Sequence, residues 1–522
     1  MSQFDDRLRA LTPAILTRLR RGIEKEGLRV QPDGKLASTP HPAELGSALT
    51  HPHITTDFSE SQLELVTGAH TTVEDCLAEL RQLHQFVYRH IGDEVMWGAS
   101  MPCQLPSEKD IPLGRYGTSN VGIAKTVYRT GLSYRYGRRM QTISGLHYNF
   151  SLPKTAWPLP GLPGPNEGYF SLIRNFRRHV WLVQYLFGAS PAVCATFVQG
   201  RPHQLQELTG GTRYLPHATS LRMGRLGYLS EAQDSLKVSH NDIETYTASL
   251  FDALTKPYPP YESIGIKINN EYRQLATSLL QIENEFYSTI RPKRVINSGE
   301  RPLHALRERG VEYVEVRAMD LDPFSSIGIA ADTARFLDVF LLWCLLRDSP
   351  RDTPQEIEAV GHNKQTTAAR GRESGLKLER DEETVALGEW GAQILRDCAP
   401  IAAALDDAHG GSAYAQALDT ATVSLANPQS LPSARMLAEM RTGYDNSYGH
   451  FAMALSQQHR KALQADPLSG ELAAKLARMA ETSLVEQRTM EAADTVPFET
   501  FRQRYLASES LIPGEHQAVS QS

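Results

Sequence analysis

Apolar and polar positions alternate with a period of two along four short stretches of the chain, the pattern of half-buried β-strands. They are Arg21-Gly-Ile-Glu-Lys-Glu-Gly-Leu-Arg29, Gln62-Leu-Glu-Leu-Val-Thr67, Leu146-His-Tyr-Asn-Phe-Ser-Leu152 and Val311-Glu-Tyr-Val-Glu-Val-Arg317. Residues i and i+2 of a strand point to the same side. Glu24 therefore shares a face with Glu26, His147 with Asn149, and Glu315 with Arg317. Asp57 precedes the second stretch and Glu64 lies within it. Residues 263–269 and 279–285 also read as strand material.

Elsewhere the spacing is helical. It predicts helices from Phe4 to about Arg20, from His41 to Leu49, and from a Thr72 N-cap to about Gly92. A longer one runs from about Tyr169 to Phe187 and stops at Gly188, a common C-terminal residue. Met101 to Thr142 reads as a loop-rich segment with a Tyr-Arg theme, and Trp157 to Gly168 as a Pro/Gly-rich surface loop. After Asp320 the chain is amphipathic helices, with a polar break from about Arg347 to Arg380. Strands early and helices late point to an α+β fold rather than alternating α/β. The expected organisation is one domain over residues 1–522, with a sheet-containing part to about 320 and a helical layer from about 321.

Composition narrows the function. The 522 residues carry a net charge of -6, which gives no basic field for nucleic acid. The longest apolar run, Val339-Phe-Leu-Leu-Trp-Cys-Leu-Leu346, is too short to span a bilayer and reads as a buried helix. The N-terminus alternates Asp and Arg with leucines, unlike a signal peptide. Five scattered cysteines with no C-x-x-C fit a reducing compartment, so a cytoplasmic location is expected.

Two carboxylates side by side on a strand are tolerable only with a cation between them, a raised pKa, or open water. Each piece has a plain structural alternative. Glu24 and Glu26 could line a solvated strand face, His147 could be a hydrogen-bonded core residue, Asp57 could start a turn, and Glu315 could pair with an arginine. Together, four strands with hard ligands on one face suggest a surface that binds divalent cations. Other chemistries lack their motifs. Gly117-Thr-Ser-Asn-Val-Gly-Ile-Ala-Lys-Thr126 approaches a P-loop, but two residues separate its second glycine from the lysine and no apolar strand precedes it. There is no G-x-G-x-x-G opening a βαβ unit and no G-x-S-x-G elbow. The basic groups Arg174-Asn-Phe-Arg-Arg178 and Arg291-Pro-Lys-Arg294 suit a small anion or a solvated helix.

The stretch from Arg21 to Arg29, Ile54-Thr-Thr-Asp-Phe58, Glu64, Gln141-Thr-Ile-Ser-Gly-Leu-His-Tyr-Asn-Phe150, Tyr185-Leu-Phe-Gly-Ala-Ser-Pro191, Gln281-Ile-Glu-Asn-Glu-Phe-Tyr287 and Tyr313-Val-Glu-Val-Arg317 together resemble the proteobacterial glutamate–cysteine ligases. The likeness runs in order through nearly the whole chain and is weakest around residues 350–380. It implies a glutamine-synthetase-like fold, a saddle-shaped antiparallel sheet forming a funnel with helices packed outside. The implied reaction joins the γ-carboxylate of L-glutamate to the amine of L-cysteine with ATP as co-substrate, through γ-glutamyl phosphate, as the first step of glutathione synthesis. The family's metal ligands fall on Glu24, Glu26, Asp57, Glu64, His147 and Glu315, for Mg²⁺ with Mn²⁺ as an alternative. Arg317 and Glu315 are the expected catalytic pair, Arg317 stabilising phosphate. Arg222 resembles the arginine near glutamate. Tyr128, Leu132, Gln141, Tyr228 and Tyr287 resemble the cysteine pocket, aromatic core being their structural alternative. A monomer is the expected state. The residues themselves leave open a γ-glutamyl ligase with another amine acceptor, a carboxylate-cluster metal hydrolase, and a cation-binding scaffold without turnover.

Overall fold

The computed structural model describes residues 2–102, 104–227, 232, 236–297, 299–466 and 468–513. At its centre is a seven-stranded antiparallel sheet organised around β1 (Arg20–Val30). The other strands, in chain order, are β2 (Ile54–Thr56), β3 (Gln62–Val66), β4 (Val95–Met96), β5 (Leu146–Ser151), β6 (Ile290–Lys293) and β7 (Tyr313–Met319). Across the sheet the order is β6-β7-β5-β1-β3-β2, with β4 paired to the end of β1.

Alternation gives this sheet two unlike sides. Ile23, Leu63, Leu65, Tyr148, Val314 and Val316 are at most 1% exposed and belong to the main hydrophobic core. Burying each such side chain stabilises the fold by roughly 1.5–3 kcal/mol. Helices α1 (Val73–His90) and α3 (Pro165–Phe187) pack on this side, and α4 (Ala331–Leu346) packs on both of them. The apolar run of α4 is fully buried, as the sequence predicts. The Thr72 cap and the Gly188 stop are also found where expected: the Thr72 side chain accepts from the Asp75 N–H, and the Gly188 N–H donates to the Gln184 carbonyl.

Several expectations fail for identifiable reasons. The first helix covers only Gln3–Ala10, and a separate turn, Pro13–Leu16, follows because proline supplies no N–H to continue the ladder. His41–Leu49 contains just one 3₁₀ turn, Ala43–Leu45. The segment expected to be loop-rich carries helix α2 (Asn120–Tyr136), capped by the Ser119 side chain. Tyr128 and Arg129 are followed seven residues on by Arg135 and Tyr136, which is the spacing of two helical turns. Residues 263–269 yield only the two-residue strand Lys267–Ile268, and 279–285 only the 3₁₀ turn Glu283–Glu285. The alternation in 279–285 reflects buried ion pairing: Glu283 meets Arg301, and Glu285 meets Arg135. The polar break after Arg347 contains helix α5 (Pro354–Arg370) and the hairpin Lys377–Arg380/Glu383–Ala386. Further helices, α6 (Leu387–His409), α7 (Ala413–Ala426), α8 (Tyr448–Ala465), α9 (Gly470–Ala493) and α10 (Phe498–Leu506), with Pro432–Gly443 between α7 and α8, make up the C-terminal part. Among the described residues, no helix is long and apolar enough to cross a membrane.

Candidate active site

The second side of the sheet collects the ligand-type side chains in rows set by strand register. Glu24 pairs with His147 across β1 and β5, and Glu26 pairs with Glu64 across β1 and β3. Glu315 pairs with Asn149 on one flank and Arg291 on the other. Directly opposed like charges destabilise a sheet, so the Glu26–Glu64 row requires compensation. Asp57, in the turn after β2, adds its own repulsion. Burial first, and then Asp57, pushes the Glu26 carboxyl up to about 8. Burial, followed by Glu24, Asp57 and Glu26, drives Glu64 well above the usual carboxylate range.

The other half of the cluster is balanced differently. His147 Nδ1 lies 3.0 Å from Glu24 Oε2 and 3.8 Å from Glu315 Oε1, while its Nε2 lies 3.7 Å from Glu26 Oε1. Burial pushes Glu315 up, but Lys293 and Arg317 outweigh it and hold the carboxyl well below its ordinary value. Arg317 Nη1 is 3.3 Å from Glu315 Oε2, and Lys293 Nζ is 3.4 Å from Glu315 Oε1. Asn149 donates to Glu24 Oε1 at 2.9 Å, and its own carbonyl oxygen is buried with no hydrogen-bond partner. Glu24, Glu64 and His147 each offer a ligand atom, and these atoms lie within 4.8 Å of one another. Opposed carboxyls, an orphaned amide oxygen and one imidazole form an oxygen-rich donor set that suits Mg²⁺ or Mn²⁺.

The expected substrate residues lie around this cluster. Arg222 is not a surface arginine. It is 1% exposed, donates to the Arg317 carbonyl at 2.9 Å, and lies 3.7 Å from Asp320. A β-carbon at Gly145 would sit 2.0 Å from its Nη2, so glycine is required there. Arg222, Tyr287 and Arg317 line a cavity of about 710 Å³. Gln141 donates to the Tyr287 hydroxyl at 2.8 Å. Tyr128 and Leu132 project from α2, whose Arg129 donates to the Asp57 carbonyl and stacks 4.3 Å over the Tyr116 ring. Leu132 is 4% exposed. Tyr228 lies outside the described residues.

The P-loop-like stretch is filled by the protein itself. The Thr118 N–H donates to Glu491 at 2.8 Å and the Asn120 N–H donates to Asp494. Two carboxylates from the end of α9 and just beyond it thus occupy the helix N-terminus where an anion would sit.

Sequence reasoning missed β6. The run Arg291-Pro-Lys-Arg294 reads as a basic group, yet Ile290–Lys293 forms an edge strand, where proline is tolerated. Arg291 and Lys293, two apart, therefore face the cluster, and that spacing was the available signal.

Comparison with known proteins identifies the family. The family model for glutamate–cysteine ligase matches residues 8–367. The glutamate–cysteine ligase of Bordetella petrii is 50% identical over 503 residues, covering 95% of each chain. That of Pseudomonas fluorescens is 47% identical over 504 residues, covering 95% of this chain and 94% of the relative. The crystal structure of the Francisella tularensis glutamate–cysteine ligase in complex with AMP superposes with a TM-score of 0.89 at 35% identity, covering 94% of this chain and 97% of that one. The chain belongs to the glutamate–cysteine ligase family and is an ATP-dependent ligase of the kind that forms γ-glutamylcysteine, the first step of glutathione synthesis.

Proposed function

We propose that Glu24, Glu26, Asp57, Glu64, His147 and Glu315 hold divalent ions, Mg²⁺ or Mn²⁺, and that ligation passes through γ-glutamyl phosphate. The observation that carries this reading is the Glu26–Glu64 row, a buried carboxyl directly opposed by a half-buried one with no fixed cation between them. Such ions, when bound, offset the repulsion between a carboxylate and the phosphate chain of ATP.

The protein's own residues supply position and charge. Arg222, locked between Gly145 and the Arg317 carbonyl, presents a fixed guanidinium for the glutamate substrate. Arg317 faces the transferred phosphoryl group. A γ-carboxylate oxygen attacks the γ-phosphorus, the bond to the β,γ-bridging oxygen breaks, and ADP leaves. The neutral amine of cysteine, held among Tyr128, Leu132, Gln141 and Tyr287, then attacks the acyl carbon. Phosphate departs and the amine's surplus proton passes to it or to solvent. No protein nucleophile is needed. The same reading takes residues 1–522 as one catalytic domain acting as a single chain, with the sheet as the floor of a glutamine-synthetase-like funnel.

Isotope transfer tests it. With ¹⁸O in the γ-carboxylate of glutamate, one labelled oxygen is expected in the released phosphate. Phosphate free of label at full turnover would exclude the acyl phosphate. With cysteine withheld, slow ADP release with 5-oxoproline formation is expected.

A further inference from the structure

Edge strand β6 brings one cation to the cluster that is not tied down. Lys293 pairs in register with Tyr313, and its ammonium lies 3.4 Å from Glu315 Oε1. Its side chain is 31% exposed, against 1% for Glu315. Neighbouring cations are anchored. Arg291 is buried and donates to the Asn284 carbonyl at 3.1 Å, and Arg317 meets the opposite oxygen of Glu315. Lysine carries a point charge on a flexible four-carbon stem and can move without disturbing the sheet.

The oxygen that Lys293 touches also faces His147, 3.8 Å away. If Glu315 and His147 turn to a shared divalent ion, as the proposed function requires, the ammonium and the ion compete for one carboxylate oxygen. Two cations that close in a water-poor site repel strongly. The conflict ends only if the ammonium finds another anion beside the ion. Among the three substrates, ATP alone brings a chain of anionic oxygens that meets a divalent ion and a lysine together.

We propose that Lys293 is a phosphate-binding residue, resting on Glu315 while the site lacks metal and nucleotide and moving to the β,γ-phosphates of ATP when both are bound. This rests on the metal assignment above, and the two can fail separately. Removing the lysine should have opposite effects on two affinities. In Lys293→Met, Mn²⁺ alone should bind several-fold tighter, because nothing competes for Glu315. In saturating Mg²⁺, ATP should bind on the order of tenfold more weakly, the usual effect of losing one charge-assisted hydrogen bond. AMP, without β- and γ-phosphates, should bind as to the wild type. Lys293→Arg should recover most of the ATP affinity. Titration calorimetry measures all of these without turnover.

A lysine that merely supports the fold would weaken Mn²⁺, ATP and AMP alike, and that result overturns the proposal. So does unchanged ATP affinity in Lys293→Met. Failure of the metal reading would appear instead in the wild type, as no Mn²⁺ binding at all.

Discussion

The two sides of β1 both bury charge, and they handle it in opposite ways. On the core side, Arg21 meets Asp338 at 2.9 Å, with both side chains fully buried. The Tyr148 hydroxyl donates to the same carboxylate at 2.7 Å. Four residues along, Lys25 lies 2.9 Å from His84 Nε2. His84 Nδ1 donates to the Leu80 carbonyl, which leaves Nε2 as the acceptor of a neutral ring. Burial draws Lys25 down to about 8. On the other side, Glu24, Glu26, Glu64 and Asp57 crowd together, and the nearby cations gather around Glu315 instead. Burial alone therefore does not mark a functional charge. The core side gives each cation a partner, Asp338 for Arg21 and the neutral ring of His84 for Lys25, while the Glu26–Glu64 row on the cluster side faces other carboxyls and is left for a proton or a ligand to balance.

The largest effect that tests this contrast is on turnover. Glu26→Gln or Glu64→Gln should lower kcat/KM on the order of 10⁴-fold, about 5.5 kcal/mol of barrier. The melting temperature should hold or rise, because a carboxylate that repels its neighbours has been removed. Near-normal turnover in either variant would break the comparison. On the core side the expectation reverses. Asp338→Asn leaves Arg21 buried without its counterion and should cost about 3–5 kcal/mol of stability, while the folded fraction keeps wild-type kcat. Chemical denaturation followed by assay of the soluble protein separates the two quantities. The double variant Arg21→Met/Asp338→Leu should recover most of the loss, because an apolar pair of similar size replaces a buried ion pair well.

Next in size is the response to divalent ions. Mg²⁺ at a hundred times its dissociation constant should stabilise the wild type by about 2.7 kcal/mol. The thermal shift should shrink in Glu24→Gln and persist in a lightly destabilised core variant such as Tyr414→Phe, which removes the hydroxyl that donates to Asp338 at 3.4 Å. EDTA should abolish turnover. An equal shift in Glu24→Gln and wild type would place the ion elsewhere.

Much of this was legible in the sequence. Glu24, Glu26, Glu64, His147 and Glu315 fall where a period of two places them, because one face of the sheet is buried and fixes the register. What the sequence hid were long-range partners. Nothing near Arg21 predicts Asp338, 317 residues away, and only the fold reveals that Arg222 is buried against Gly145. Helix α2 was obscured by its aromatic and glycine content, which suits loops as well. Strand β6 was obscured by its basic run, and the missing N–H of Pro292 is harmless at an edge. The alternation around Gln281 looked like a strand because ion pairing can imitate the period of pleated backbone.

The smallest expected effect concerns the acceptor, where the comparison extends to neutral groups. Gln141 and Tyr287 are bonded to each other at 2.8 Å, so their polar atoms already have partners, as the charges on the core side do. Tyr136 packs edge-on against Tyr287 at 5.8 Å and donates to buried Glu285 at 2.8 Å, which stiffens the pair. A side chain entering between Tyr128, Leu132 and Tyr287 thus meets apolar surface and an engaged hydrogen bond. A thiol is a weak donor and loses little there, and the methyl of L-2-aminobutyrate should serve nearly as well. Serine must give up water without a new partner, which costs about 2 kcal/mol. Its kcat/KM should fall roughly thirtyfold below that of 2-aminobutyrate. Tyr287→Phe frees the Gln141 amide to bond the serine hydroxyl, so the ratio should narrow in that variant while cysteine turnover falls. Competition between the two acceptors in both enzymes measures it. Serine matching 2-aminobutyrate in the wild type would mean that the Gln141–Tyr287 bond opens readily to an incoming hydroxyl, and that this polar pair waits for its ligand as the carboxylates do.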